Sequence, residues 1–124
     1  MSKTKPYIYV VDDDESVRRA LRRLLKSAGF NVETFNSAQS FLDSVLLDTE
    51  GCLILDVRMP GINGFELQKK LNDRRSNLHI IFITAHAQAG DRERAMEAGA
   101  IGFLQKPFND QSLLDLINSI GGSY

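Results

Sequence analysis

A single cysteine, Cys52, stands in a chain of 124 residues, so neither a disulfide framework nor a cysteine-built metal cluster is available. It lies inside the apolar run CLIL, where a thiol acts as a small hydrophobe. Charge of one sign is lacking too: 15 Lys and Arg face 16 Asp and Glu, for a net charge of −1. That excludes the broadly basic face that nucleic acid prefers, and any electrostatic role must be local. Nothing approaches the ~18 consecutive apolar residues of a membrane span. The opening MSKTKPYIYVV lacks the long apolar core and cleavage site of a secretory signal. Repeats and low-complexity segments are absent as well. These absences leave a soluble chain expected in the reducing cytoplasm, with one domain over residues 1–124 that is large enough to bury a core unaided. Its ending, IGGSY, fits either a frayed domain tail or the start of a linker to a second domain.

What is present is an alternation. Five short apolar runs, at Tyr7–Val11, Asn31–Phe35, Cys52–Leu55, Ile80–Ile83 and Ile101–Gln105, are each followed by a helical pattern. Val17, Ala20, Leu21, Leu24, Leu25 and Ala28 form the first stripe, with Gly29 as its stop. Ser37 opens a second stripe of Ala38, Phe41, Leu42, Val45 and Leu46. After the turn at Pro60, Gly61 and Gly64, Phe65–Asn72 reads as a short helix on Leu67 and Leu71. Ala89–Ala98 has a thin apolar face of Ala95 and Met96, so this fourth helix should dock loosely. Asn109 caps a last helix built on Leu113, Leu116, Ile117 and Ile120. Repeated βα units predict a doubly wound, parallel five-stranded α/β sheet.

Such a sheet binds ligands beyond the C-terminal ends of its strands, where the strand order reverses. Asp12, Asp13, Asp56, Thr84 and Lys106 all stand at strand ends. Taken singly each has an ordinary reading: acids start helices, threonine suits strands, lysine faces solvent, and Asp56 could simply hydrogen-bond the next loop. Asp14 and Glu15 fit the cap and first turn of the first helix. Together, clustered carboxylates with one hydroxyl and one ammonium suit a magnesium ion and a transferring phosphoryl group. A carboxylate attacking phosphorus gives an aspartyl phosphate.

The segments VVDD, LDVRMPGINGFE, FITA and AMEAGAIGFLQKPF resemble the receiver domain of two-component response regulators, over essentially the whole chain. DVRMPG and AGAIGFLQKPF are similar to the nitrogen-fixation regulator subfamily, whose members often carry a helix-turn-helix output domain. The resemblance implies a flavodoxin-like fold, with strands in the order 2-1-3-4-5 and five helices. It implies Asp56 as phosphoacceptor from a sensor histidine kinase, and Mg²⁺ held by Asp12, Asp13, Asp56 and the backbone carbonyl of Arg58. Thr84 and Lys106 would grip the phosphoryl group, and the Lys106–Pro107 bond would be cis. Phe103 would be a switch aromatic that moves inward with Thr84, or else a plain core residue. Arg58 and His86 would tune hydrolysis by shielding the acyl phosphate from water. His86 as a metal ligand is disfavoured, and His79 begins the fourth strand.

Partners follow the same logic. The basic stripe Arg18, Arg19, Arg22, Arg23 and Lys26 is either a solvated face or part of a kinase-docking surface. Asp91, Arg92, Glu93 and Arg94 lie on the fourth helix, which with the fifth strand and last helix forms the family's dimer surface, expected here to pair on phosphorylation. A C-terminal DNA-binding output domain would lie outside these residues, and direct nucleic-acid or membrane binding by this domain is not expected. One rival class is a haloacid-dehalogenase-like phosphatase with Asp12 as nucleophile and Asp14 as acid; it leaves Asp56 without a role. A flavodoxin-type cofactor binder is opposed by the acids that follow the first strand.

Overall fold

The computed structural model describes residues 5–45 and 49–121. In chain order the elements are β1 (Ile8–Val11), α1 (Glu15–Ser27), β2 (Val32–Phe35), α2 (Ala38–Ser44), β3 (Glu50–Asp56), α3 (Gly64–Asp73), β4 (Asn77–Thr84), α4 (Asp91–Glu97), β5 (Gly102–Gln105) and α5 (Asp110–Gly121). All strand pairings are parallel, and the sheet runs β2-β1-β3-β4-β5. The expected architecture and strand order are therefore those observed.

Helix boundaries follow local chemistry. Asp14 caps α1 by accepting from the Ser16 N–H, and Gly29 follows the helix at φ 89°, a conformation that glycine adopts without strain. Ser37 caps α2 through the Ser40 N–H. Asn63 and Glu66 form a reciprocal capping box on α3. Asn109 Oδ1 accepts from the Gln111 N–H at 2.7 Å as α5 begins.

Strand alternation divides the core into two layers. Ile8, Val10, Cys52, Ile54, Ile81 and Ile83 pack with Leu21 and Leu25 of α1 and Leu113, Ile117 and Ile120 of α5. Tyr9, Val11, Leu53, Leu55 and Phe82 pack with Phe41 of α2, Phe65, Leu67 and Leu71 of α3, and Ala95 of α4. β3 is central and buried on both faces, as its unbroken apolar run foretold. Burial pushes the Cys52 thiol up to about 12, which fits a packing role.

Some details depart from the sequence reading. β4 starts at Asn77 rather than Ile80, because Asn77, Leu78 and His79 continue the ladder opposite Glu50, Gly51 and Cys52. α4 starts at Asp91, since Gly90 sits at φ 87°, outside helical space. Only Ala95 of its expected face is in the core; Met96 is 37% exposed. Ala20 is also exposed, at the edge of the α1 stripe. Leu46, assigned to the second stripe, lies outside the described residues.

One contact fixes the floor of the strand-end region. The Gly64 N–H donates to the Val57 carbonyl at 2.9 Å, bringing the start of α3 against the end of β3. A Cβ at Gly64 would collide with the Asp56 carbonyl oxygen and lie 3.0 Å from both Val57 Cα and the Phe82 ring. Gly64→Ala is expected to cost about 2 kcal/mol, as urea denaturation would register; a wild-type midpoint would show that α3 can back away freely.

Candidate functional site

Sheet register assembles the site. Val11 pairs with Leu55, so Asp12 and Asp56 leave neighbouring strands side by side. Asp56 pairs with Ile83, which puts Thr84 one step further along, and Thr84 pairs with Gln105, which delivers Lys106. Residues distant in sequence thus meet at one sheet edge because parallel strands end together. Carboxylate oxygens of Asp12, Asp13 and Asp56 all lie within 4.8 Å of one another.

Asp12 is fully buried, and its two oxygens are separately engaged. Oδ2 accepts from Lys106 Nζ at 2.8 Å, and Oδ1 accepts from the Asp14 N–H at 2.9 Å. Lys106 Nζ also stands 4.0 Å from Asp56 Oδ2, so one ammonium faces two carboxylates. Asp13 is exposed and opens the cluster to solvent. Asp56 is buried, and its Oδ1 accepts only a long bond, 3.3 Å, from the Arg58 N–H.

The balance at Asp56 is unfavourable to charge. Burial first, then the negative charge of Asp12, push its carboxyl from the ordinary 3.8 up to about 6, against the opposing pull of Lys106 and the Arg58 N–H. Three carboxylates against one ammonium form a donor set of hard oxygen ligands short of positive charge, which fits a small divalent cation. Asp14 behaves otherwise: its hydrogen bonds from Ser16 lower its pKa and spend its carboxylate on the cap. A carboxyl whose ionised form is favoured by its cap contacts is poorly suited to the acid role that a dehalogenase-like phosphatase would give it.

Thr84 is buried; its carbonyl accepts from the Lys106 N–H at 2.7 Å, and its Oγ1 accepts from the His86 N–H at 3.3 Å. The His86 side chain is exposed beside it in sequence. The Lys106–Pro107 peptide is cis. Phe103 is only 8% exposed, with its ring 6.4 Å from that of Phe82, so the expected inward movement finds this ring already inside.

Two residues of the neighbourhood were missed or misjudged in the sequence. Arg18, read as part of a solvated stripe, turns inward and donates from Nη1 to the Asp12 carbonyl at 2.8 Å. Asp91, read as surface charge, is buried and pairs with Arg58 at 2.7 Å. A faint signal existed for Asp91, an acid directly after Gly90 at a helix start. Nothing local pointed to Arg58 as its partner.

Comparison with known proteins agrees with the geometry. Residues 8–118 match the family described as "Response regulator receiver domain". The transcriptional regulatory protein FixJ of Bradyrhizobium diazoefficiens is 45% identical over 116 residues, 94% of this chain and 57% of that protein. Among solved structures, the response regulator StyR is 53% identical with a TM-score of 0.86, covering 94% of this chain and 59% of that one. The structure of FixJ-N is 35% identical with a TM-score of 0.87, covering 98% of this chain and 97% of that one. The chain spans about half the length of the curated relatives it matches, 51% and 57% for the first two.

Proposed function

The chain belongs to the response-regulator receiver family, with relatives of the nitrogen-fixation regulator kind, and on that premise we propose that it is a Mg²⁺-dependent phosphoacceptor whose reacting group is Asp56. One observation supports the reading: Asp12, Asp13, Asp56, Thr84 and Lys106 converge at the C-terminal ends of adjacent strands, and of the two buried acids in that cluster Asp56 is the one that Lys106 reaches only at 4.0 Å, against 2.8 Å for Asp12.

The Asp56 carboxylate attacks the phosphorus of a phosphohistidine on a sensor kinase. The P–N bond breaks, its electron pair stays on the imidazole, and Asp56 becomes an acyl phosphate. Asp12, Asp13, Asp56 and the Arg58 carbonyl would hold Mg²⁺, which supplies neutralisation of charge on the phosphoryl oxygens. Thr84 donates its hydroxyl to one such oxygen, and Lys106 turns part of its charge from Asp12 to another. Hydrolysis reverses the state: water attacks phosphorus, and the P–O bond to Asp56 breaks to return carboxylate and inorganic phosphate. The chain thus promotes its own phosphorylation and dephosphorylation as a signalling module rather than a metabolic enzyme.

The output is a change in the surface of α4, β5 and α5, the face through which two phosphorylated copies pair. Phe103, packed under that surface, couples it to Thr84. The resulting cytoplasmic switch serves a transcriptional output domain that does the DNA binding. No helix among the described residues is long and apolar enough to cross a membrane.

Incubation with acetyl phosphate and Mg²⁺ should load one phosphoryl group per chain, and chelator or Asp56→Asn should abolish it. Loading that survives Asp56→Asn but disappears in Asp12→Asn would instead favour the phosphatase reading.

A further inference from the structure

α4 contributes little to the hydrophobic core, since Ala95 is its one buried apolar side chain and Met96 faces out. What holds it is a polar seam. Gln68 Nε2 donates to the Ala95 carbonyl at 3.0 Å, and Asn72 Nδ2 donates to the Ala98 carbonyl at 2.8 Å. The Arg94 guanidinium lies 4.2 Å over the Phe65 ring, and Arg92 Nη1 donates to the Phe103 carbonyl at 3.1 Å. At the N-terminal end, Arg58 Nη2 donates to Asp91 Oδ2 at 2.7 Å.

This last contact differs from the rest in origin. The four others come from α3 or reach β5, whereas Arg58 belongs to the loop after β3 and its own N–H donates to Asp56 Oδ1 at 3.3 Å. Asp91 Oδ2 also accepts from the Gln88 N–H at 2.9 Å, so the same oxygen closes the turn into α4. Asp91 is buried, while the Arg58 side chain is 39% exposed and has room to move. Phosphorylated Asp56 would present about two negative charges at the end of β3, two residues before Arg58. One guanidinium then faces two anions, and its planar fork suits phosphoryl oxygens better than a single carboxylate oxygen.

We propose that the Arg58–Asp91 ion pair is a clasp opened by phosphorylation: Arg58 passes from Asp91 to the acyl phosphate, freeing the start of α4 while covering the phosphoryl group. Asp91 is thereby a positioning residue, holding Arg58 away from Asp56 in the unphosphorylated protein. The device rests on the reading of Asp56 as phosphoacceptor and supplies a line from that site to α4 separate from Thr84 and Phe103. Releasing Asp91 leaves Arg58 free to cover the phosphoryl group, and that shielding slows its hydrolysis.

The test has two arms. In unphosphorylated protein, hydrogen exchange at amides 88–94 should accelerate in both Arg58→Ala and Asp91→Asn; unchanged exchange in either overturns the clasp without reference to phosphorylation. After loading with acetyl phosphate, Asp91→Asn should lengthen the acyl-phosphate lifetime several-fold, because nothing then holds Arg58 away from the phosphoryl group. Arg58→Ala should shorten it, and adding Asp91→Asn to Arg58→Ala should then change nothing. An Asp91→Asn effect of the same size without Arg58 would mean that Asp91 acts only through general loosening, and overturns the proposal. Wild-type protein that takes no phosphoryl group at Asp56 removes the functional reading itself; normal loading with an unaltered Asp91→Asn lifetime removes the clasp alone.

Discussion

Asp56→Asn is expected to make the metal-free protein more stable at neutral pH, although it removes the group on which the proposed chemistry depends. In the folded chain, burial and the neighbouring Asp12 hold the Asp56 carboxyl at about 6, above the ordinary 3.8. Between these values the folded state binds more protons than the unfolded state, so stability falls as pH rises from 3.8 to about 6 and stays low above it. The full loss amounts to about 3 kcal/mol if no relaxation intervenes. A neutral amide of the same shape avoids it and still accepts from the Arg58 N–H. Urea denaturation in chelator should therefore show Asp56→Asn more stable by about 1–3 kcal/mol at pH 7, with the difference gone by about pH 4. Equal stability at pH 7, or a gain that persists in acid, would mean that the carboxylate is not under electrostatic stress. The same stress is what a divalent cation would relieve, so Mg²⁺ should raise the wild-type midpoint more than that of Asp56→Asn.

Lys106→Met should act in the opposite direction. The ammonium is the cation in contact with Asp12, which is fully buried, and it also stands 4.0 Å from Asp56. Removing one partner of a buried pair leaves the other charge uncompensated, a loss of about 3 kcal/mol. Pairing Lys106→Met with Asp56→Asn should recover part of that loss, because one fewer negative charge then needs the missing ammonium. Phosphoryl acceptance from acetyl phosphate should fall about a hundredfold in the single variant, the usual scale for deleting one electrostatic stabiliser of the transition state. Wild-type stability and loading in Lys106→Met would show that Lys106 is a bystander.

Asp12, Asp13, Asp56, Thr84 and Lys106 were legible in the sequence because each closes or follows an apolar run, and parallel strands in a doubly wound sheet must end on the same side. No pairwise distance was needed to see that they would meet. The Arg58–Asp91 pair was not legible, because it joins the loop after β3 to the first residue of α4, 33 positions on, and their approach depends on how α4 sits. The seat of α4 is hidden in the sequence for the same reason. With Ala95 as its only core side chain, its start is set by the backbone of Gly90 and its seat by polar contacts from Gln68 and Asn72, neither of which leaves a hydrophobic period. The early start of β4 was hidden likewise, because Asn77 and His79 belong to the strand through ladder pairing rather than through apolar character. Phe103 showed the converse: its place on β5 was plain, but whether its ring lies in or out is a matter of packing against Phe82.

The most direct test of Asp56 as the phosphoacceptor is to locate the modified carboxyl chemically. Protein loaded with acetyl phosphate in Mg²⁺ is treated with borohydride, which reduces an acyl phosphate to the alcohol, and the peptides are mapped by mass spectrometry. Homoserine at position 56, and at none of positions 12 to 14, is the expected result. Homoserine at position 12 with Asp56 intact would contradict it.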